Sequence, residues 1–77
     1  MNNIISELAS PVDLISLTPN SKVVMQFKLA RGNEMIDLRT WSRWSDNEFH
    51  AGRNGIFIQK DVLEGILDRI KEELASH

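Results

Sequence analysis

The sequence predicts an α+β fold, four antiparallel strands in one sheet followed by a single C-terminal helix, in the order β-β-β-β-α. Three observations predict it. Residues 22–31 alternate between two faces, with Val23, Met25, Phe27 and Leu29 on one and Lys22, Val24, Gln26, Lys28 and Ala30 on the other. Gly32-Asn33 follows at once and supplies the positive φ that a two-residue hairpin requires. From Asp61 onward the apolar spacing changes from two to that of a helix, with Leu63, Ile66, Leu67, Ile70 and Leu74 forming one stripe.

Each element can be justified in turn. Residues 1–10 are short and mixed, and are read as an N-terminal segment outside the sheet that is either flexible or packed on the dimer. Residues 11–19 carry Val12, Leu14, Ile15 and Leu17 between Pro11 and Pro19, which suits an edge strand because proline at its margins costs no ladder bond. The sheet is expected over 11–59. With Gly32-Asn33 as the turn, Arg31 should face Glu34, Leu29 Ile36, Phe27 Leu38 and Met25 Thr40 on an apolar face. On the other face Lys28 should lie opposite Asp37, Gln26 opposite Arg39, Val24 opposite Trp41 and Lys22 opposite Arg43. Residues 44–49 carry Ser, Asp and Asn and read as a loop. The last strand, reached through residues 50–55, has Ile56 and Ile58 facing the core and Phe57 facing away. Gly52 and Gly55 predict a bend or bulge in it. The helix is expected over 60–76, with Asp61 as its N-cap and Glu64 completing a capping box.

A chain of 77 residues, 42% of them hydrophobic, forms one domain with one small core. So short a domain buries only about 60% of the surface its unfolded chain exposes. With no cysteine to supply a disulfide, oligomerisation is the expected further source of stability. The start of the chain lacks the basic and continuous apolar regions of a signal peptide, and no run approaches membrane-spanning length, so a cytoplasmic location is expected. Net charge is −2, but it is segregated. Seven basic and four acidic residues lie in 22–60, whereas seven acidic and two basic residues lie outside it, mostly in the helix.

Nothing in the pattern points to catalysis. The histidines are His50 and His77, no serine sits in a nucleophile elbow, and Gly52 and Gly55 match neither phosphate-binding glycine pattern. Metal ligands are too few, and no cofactor is expected. The basic and aromatic face is the candidate site. Unpaired bases stack on aromatic rings for about 1–3 kcal/mol each while Lys and Arg follow the phosphates. Arg39, Trp41 and Arg43 share one strand face, Lys22, Gln26 and Lys28 lie beside them, and Arg53 and Phe57 extend the surface. The pattern reads equally with Arg39 and Arg43 as ordinary solvated residues and Trp41 as part of a dimer core rather than a base platform. Trp44 and Phe49 read equally as packing lids and as further platforms, and His50 reads as a surface histidine or a phosphate contact.

The segments Ile36-Asp37-Leu38-Arg39-Thr40-Trp41-Ser42 and Gly52-Arg53-Asn54-Gly55-Ile56-Phe57-Ile58, followed by a C-terminal helix, resemble the transcriptional positive cofactor four family, especially its short bacterial members. That family shows an I-D-I-R segment followed by an aromatic, and then a G-[RK]-x-G-I-x-L segment. The resemblance spans residues 23–74. It implies a curved four-stranded sheet backed by one helix, a homodimer, and single-stranded DNA lying along basic β-ridges. It matches Lys28, Arg31, Arg39, Trp41 and Arg53 to family positions that are basic or aromatic. The chain departs from the family at Ala30 and Ser42, where aromatic residues stand in eukaryotic members, and at His50 and Asn54, where lysines are common. These departures imply weaker phosphate binding.

The function expected from sequence is therefore single-stranded DNA binding, with RNA as a second ligand, little sequence preference and no enzymatic activity. Such a homodimer would act in transcription regulation, as a coactivator does, or in DNA maintenance, with RNA polymerase or other transcription proteins as further partners and no membrane. The alternative is a protein-interaction module on the same fold that regulates the transcription machinery without touching nucleic acid.

Overall fold

In the computed structural model, which describes residues 5–77, the chain runs β1 (Ile5–Glu7), β2 (Val12–Thr18), β3 (Ser21–Ala30), β4 (Asn33–Arg43), β5 (Phe49–Gln59) and α1 (Lys60–Ala75). All strands join one open antiparallel sheet. It is four strands wide, as expected, because β1 and β2 share the free edge of β3: Ile5–Glu7 pairs with residues 28–30 and Val12–Thr18 with residues 21–25. Part of the segment expected to lie outside the sheet is thus a strand, and residues 1–4 lie outside the described residues. The Leu8 N–H donates to the Phe27 carbonyl at 2.9 Å, which continues the β1 pairing toward the break at Pro11.

The central hairpin corrects the expected register. Its two turn residues are Arg31 (φ 53°) and Gly32 (φ 79°), and Asn33 is already in β4 opposite Ala30. Positive φ at both central residues is the geometry of a type I′ turn, in which glycine favours the second place, as in Asn-Gly. Lys28 therefore lies opposite Met35, Gln26 opposite Asp37, Val24 opposite Arg39 and Lys22 opposite Trp41. Every expected pair is shifted by two residues. Because the side-chain period is also two, both registers place the same residues on the same face, and the hydrophobic pattern does not distinguish them.

β5 begins at Phe49, earlier than expected, and the preceding loop is closed by the Trp44 N–H bonding to the Glu48 carbonyl at 3.0 Å. The expected bulge is present. Arg39 pairs with Gly55 and Trp41 with Ala51, so three residues of β5 oppose Thr40 alone. The two glycines allow this close approach: a Cβ on Gly55 would stand 2.2 Å from Arg39 Cβ, and one on Gly52 would stand 2.8 Å from the Thr40 carbonyl oxygen.

The helix follows β5 without a loop. Its N-cap is Gln59, which makes no side-chain capping bond, and Asp61 sits inside the first turn. The expected capping box does not form, since the strand runs to Gln59 and the helix starts two residues too early for Asp61 to precede it. Asp61 still favours the helix by placing negative charge at the positive end of its dipole. The helix touches β4 and β5, yet none of its residues is buried, and Ile66, Leu67 and Ile70 each keep 40% or more of their surface exposed. The fully enclosed apolar residues are Val24 and Ile36. The radius of gyration is 14.5 Å, against about 11.5 Å for a compact chain of this length. The accessible surface is 5913 Å², against about 4,800 Å² for a monomer of this mass.

Candidate nucleic-acid interface

Strand pairing assigns the two faces of the sheet. Val23, Met25, Phe27, Ile36, Leu38, Ile56 and Ile58 share one face, which is apolar. Lys22, Val24, Gln26 and Lys28 share the other with Met35, Asp37, Arg39, Trp41 and Arg43, and Phe49, Ala51 and Phe57 pair onto that same face. Sequence alternation therefore brought together Lys22, Gln26, Lys28, Arg39, Trp41, Arg43 and Phe57 correctly.

The middle of this face is an ion network rather than an open basic patch. Asp37 is buried, and its carboxylate accepts from Lys28 Nζ at 2.9 Å and from Arg39 Nε. Burial pushes the Asp37 carboxyl up, but the hydrogen bonds from Arg39 and Lys28, together with their charges, outweigh burial and hold it below its ordinary value. Arg39 also donates through Nη1 to the Gly52 carbonyl at 3.0 Å, which ties the β5 bulge to the network. Gln26, buried beside it, donates to Glu7 Oε1 at 3.4 Å. Lys28 and Arg39, both expected to hold phosphate, share the single Asp37 carboxylate, which offsets one of their two positive charges.

Trp41 lies between Lys22 and Ala51 in the pairing. Its indole Nε1 is buried and has no hydrogen-bond partner among the described residues. An unmet buried donor costs about 1–3 kcal/mol, so this N–H favours any acceptor that reaches it. Phe57, opposite Asp37, is exposed.

The end of the face is more open. Phe49 pairs with Arg43 and carries two cations on one ring, Lys22 Nζ at 4.2 Å and Arg43 Cζ at 4.5 Å from the centroid. Such contacts contribute about 0.5–1 kcal/mol each at exposed sites and fix both heads in place. Lys22 also bonds Asp13 Oδ2 at 3.0 Å, while Arg43 donates to the carbonyls of Asn47 and Pro19 at 3.2 and 3.5 Å. A cleft of about 510 Å³ opens here, lined by Asp13, Thr18, Pro19, Lys22, Arg43 and Phe49 among others. Sequence reasoning missed both Asp13 and the role of Phe49. The signal for Phe49 was its spacing of two from Ala51, which becomes legible only once β5 is known to start at residue 49.

Four further expected residues, Arg53, Arg31, His50 and Trp44, lie elsewhere. Arg53 is exposed on the bulge and makes no ion pair among the described residues, whereas Arg31 occupies the hairpin turn at the far end of β3. His50 pairs with Ser42 and therefore belongs to the opposite face from Trp41. Its ring stacks on Trp44 with centroids 4.0 Å apart, and its Nε2 lies 2.7 Å from Asp46 Oδ2. The Glu48 backbone N–H and His50 hold the Asp46 carboxyl below its ordinary value. Trp44 and His50 thus stabilise the β4–β5 loop together, apart from the basic face.

No group of three or more His, Cys, Asp or Glu among the described residues is placed to hold a metal, and no helix among them is long and apolar enough to cross a membrane. No family model matches the chain, and neither a curated protein nor a solved structure is similar to it.

Proposed function

We propose that this chain binds single-stranded DNA, and RNA through the same contacts, with little sequence preference, and that it does so as a homodimer without enzymatic activity. One observation carries the reading: Lys22, Lys28, Arg39 and Arg43 lie on the same sheet face as Trp41 and Phe57. Cations that follow phosphates and rings that accept unpaired bases are what a sequence-tolerant single-strand surface combines. The order of four sheet positions and a C-terminal helix also agrees with what the resemblance to the positive cofactor four family implied, and transcription regulation or DNA maintenance is the corresponding role.

The dimer rests on area. The chain exposes about 1,100 Å² more than a monomer of its mass should, and a standard interface takes about 800 Å² from each partner. The exposed helix stripe of Ile66, Leu67, Ile70 and Leu74 supplies apolar surface of the right kind.

The test is fluorescence anisotropy of a labelled single strand of ~20 nucleotides beside a duplex of the same sequence, at two salt concentrations. The expected result is preferential single-strand binding whose log affinity falls by about 0.7 per neutralised phosphate for each unit of log salt. Absence of binding at low salt overturns the reading and transfers the face to a polypeptide ligand. Sedimentation equilibrium checks the dimer independently.

A further inference from the structure

The cleft at the end of the basic face holds an arrangement that charge alone does not explain. Lys22 and Arg43 are both seated on the Phe49 ring, and their heads border one cavity of about 510 Å³. The cavity is large enough for a nucleotide, since ligand clefts run from about 300 to 1,000 Å³. Its wall at the β2–β3 turn is fixed, because the Arg43 backbone N–H donates to the Asn20 carbonyl at 2.8 Å and the guanidinium reaches the Pro19 carbonyl. Among the described residues one anionic side chain lines it. Asp13 reaches Lys22 from β2 with its own side chain 64% exposed.

We propose that this cleft is a phosphate site for the bound strand, and that Asp13 is its internal competitor. Resting on the single-strand reading above, the site works by exchange: a nucleotide phosphate takes the place of the Asp13 carboxylate on Lys22 and is held from the other side by Arg43. Asp13 can yield because its pair with Lys22 is exposed on one partner and is accordingly weak. A backbone phosphodiester spreads one charge over two free oxygens, as a carboxylate does, but it is not tethered to β2 and can turn one oxygen to each cation, whereas the Asp13 carboxylate bonds Lys22 and not Arg43. Phe49 keeps the two cationic heads facing the cavity when the carboxylate leaves. Asp13 consequently sets the affinity of the face without contacting the ligand.

Four proteins test this with the same labelled strand at one salt concentration: wild type, Asp13→Asn, Lys22→Gln and the double variant. Circular dichroism checks that each is folded, which the exposed position of Asp13 favours. The expected result is two- to fivefold tighter binding by Asp13→Asn, about the size of a weak surface ion pair, with the gain vanishing when Lys22 is Gln. An equal gain on both backgrounds would mean that Asp13 acts only through net charge, and the site is overturned. No gain, while wild type binds, overturns it equally. If no variant binds the strand, the single-strand reading fails on its own. Titration of adenosine monophosphate, followed by the amide resonances of Lys22, Arg43 and Phe49, then decides the cleft: saturable shifts lost in Lys22→Gln sustain it, and unmoved resonances reject it.

Discussion

Lys28 and Lys22 lie on the same strand and the same face, each bonds an aspartate at almost the same distance, 2.9 and 3.0 Å, and each is about one-fifth exposed. Their partners differ. The Asp37 side chain is 7% exposed and shared with Arg39, whereas that of Asp13 is 64% exposed and bonds Lys22 alone. A buried carboxylate cannot leave two cations without leaving them uncompensated, while an exposed one simply returns to water. The middle of the face is therefore cemented and its end is exchangeable, although the residue types are the same. A count of basic residues on a face measures potential for phosphate binding only after the internal pairs have been subtracted.

The largest expected effect breaks the middle. Asp37→Asn should cost about 3 kcal/mol of stability, the scale for removing one partner of a buried ion pair, and urea unfolding measures it. The same change sharpens the comparison through pH. The folded Asp37 pKa is lowered, so its contribution is fully present above the unfolded carboxylate range, near pH 4, and is lost as pH falls through the folded value. The stability gap between wild type and Asp37→Asn should accordingly stay level from neutral pH to about pH 5 and close below about pH 4. A gap that persists in acid would show that packing, not charge, makes Asp37 important.

A second test addresses binding. Arg43→Ala with Arg53→Ala should weaken all single strands and lower the salt slope by about 1.4, the amount for two phosphate contacts, with a loss of about 0.5–1 kcal/mol of stability from the Arg43–Phe49 contact. An unchanged slope would remove both residues from the interface. Next in size, Trp41→Ala should cost about 1–3 kcal/mol of binding if the ring stacks on a base. Loss of the dimer with intrinsic strand affinity retained would assign the ring to packing. Smallest is the gain expected of Asp13→Asn, which touches only the exchangeable end.

How much of this was legible in the sequence follows from which signals are periodic. Alternation across 22–43 placed Lys22, Lys28, Arg39 and Trp41 on one face, and the spacing of Gly52 and Gly55 marked the bulge. The register escaped because a shift of two residues leaves both faces unchanged, and the choice fell to turn geometry at Arg31-Gly32. β1 escaped because three residues are too few to show a period. The helix stripe was visible, but its exposure was not, since a stripe facing its own sheet and one awaiting a second copy read alike. Burial of Asp37 escaped for a related reason: an acidic residue across from Lys28 reads as a solvated charge or as a surface cross-strand pair, and the pair with Lys28 forms but is enclosed once the sheet folds around it.

The divided edge of β3 has a consequence for the chain's life before it meets a partner. β2 carries two irregularities in its pairing, between Asp13 and Ile15 and between Ser16 and Thr18, and the edge is broken between Glu7 and Val12. An unpaired edge of that length in a chain with so much uncovered apolar surface would invite strands from other molecules to add to it without limit. Interrupting and bending the ladder removes the straight template that fibril growth needs. The opposite edge, β5, is bent by its own bulge, and in the proposed dimer the association of the remaining apolar side-chain surface would end once it is covered.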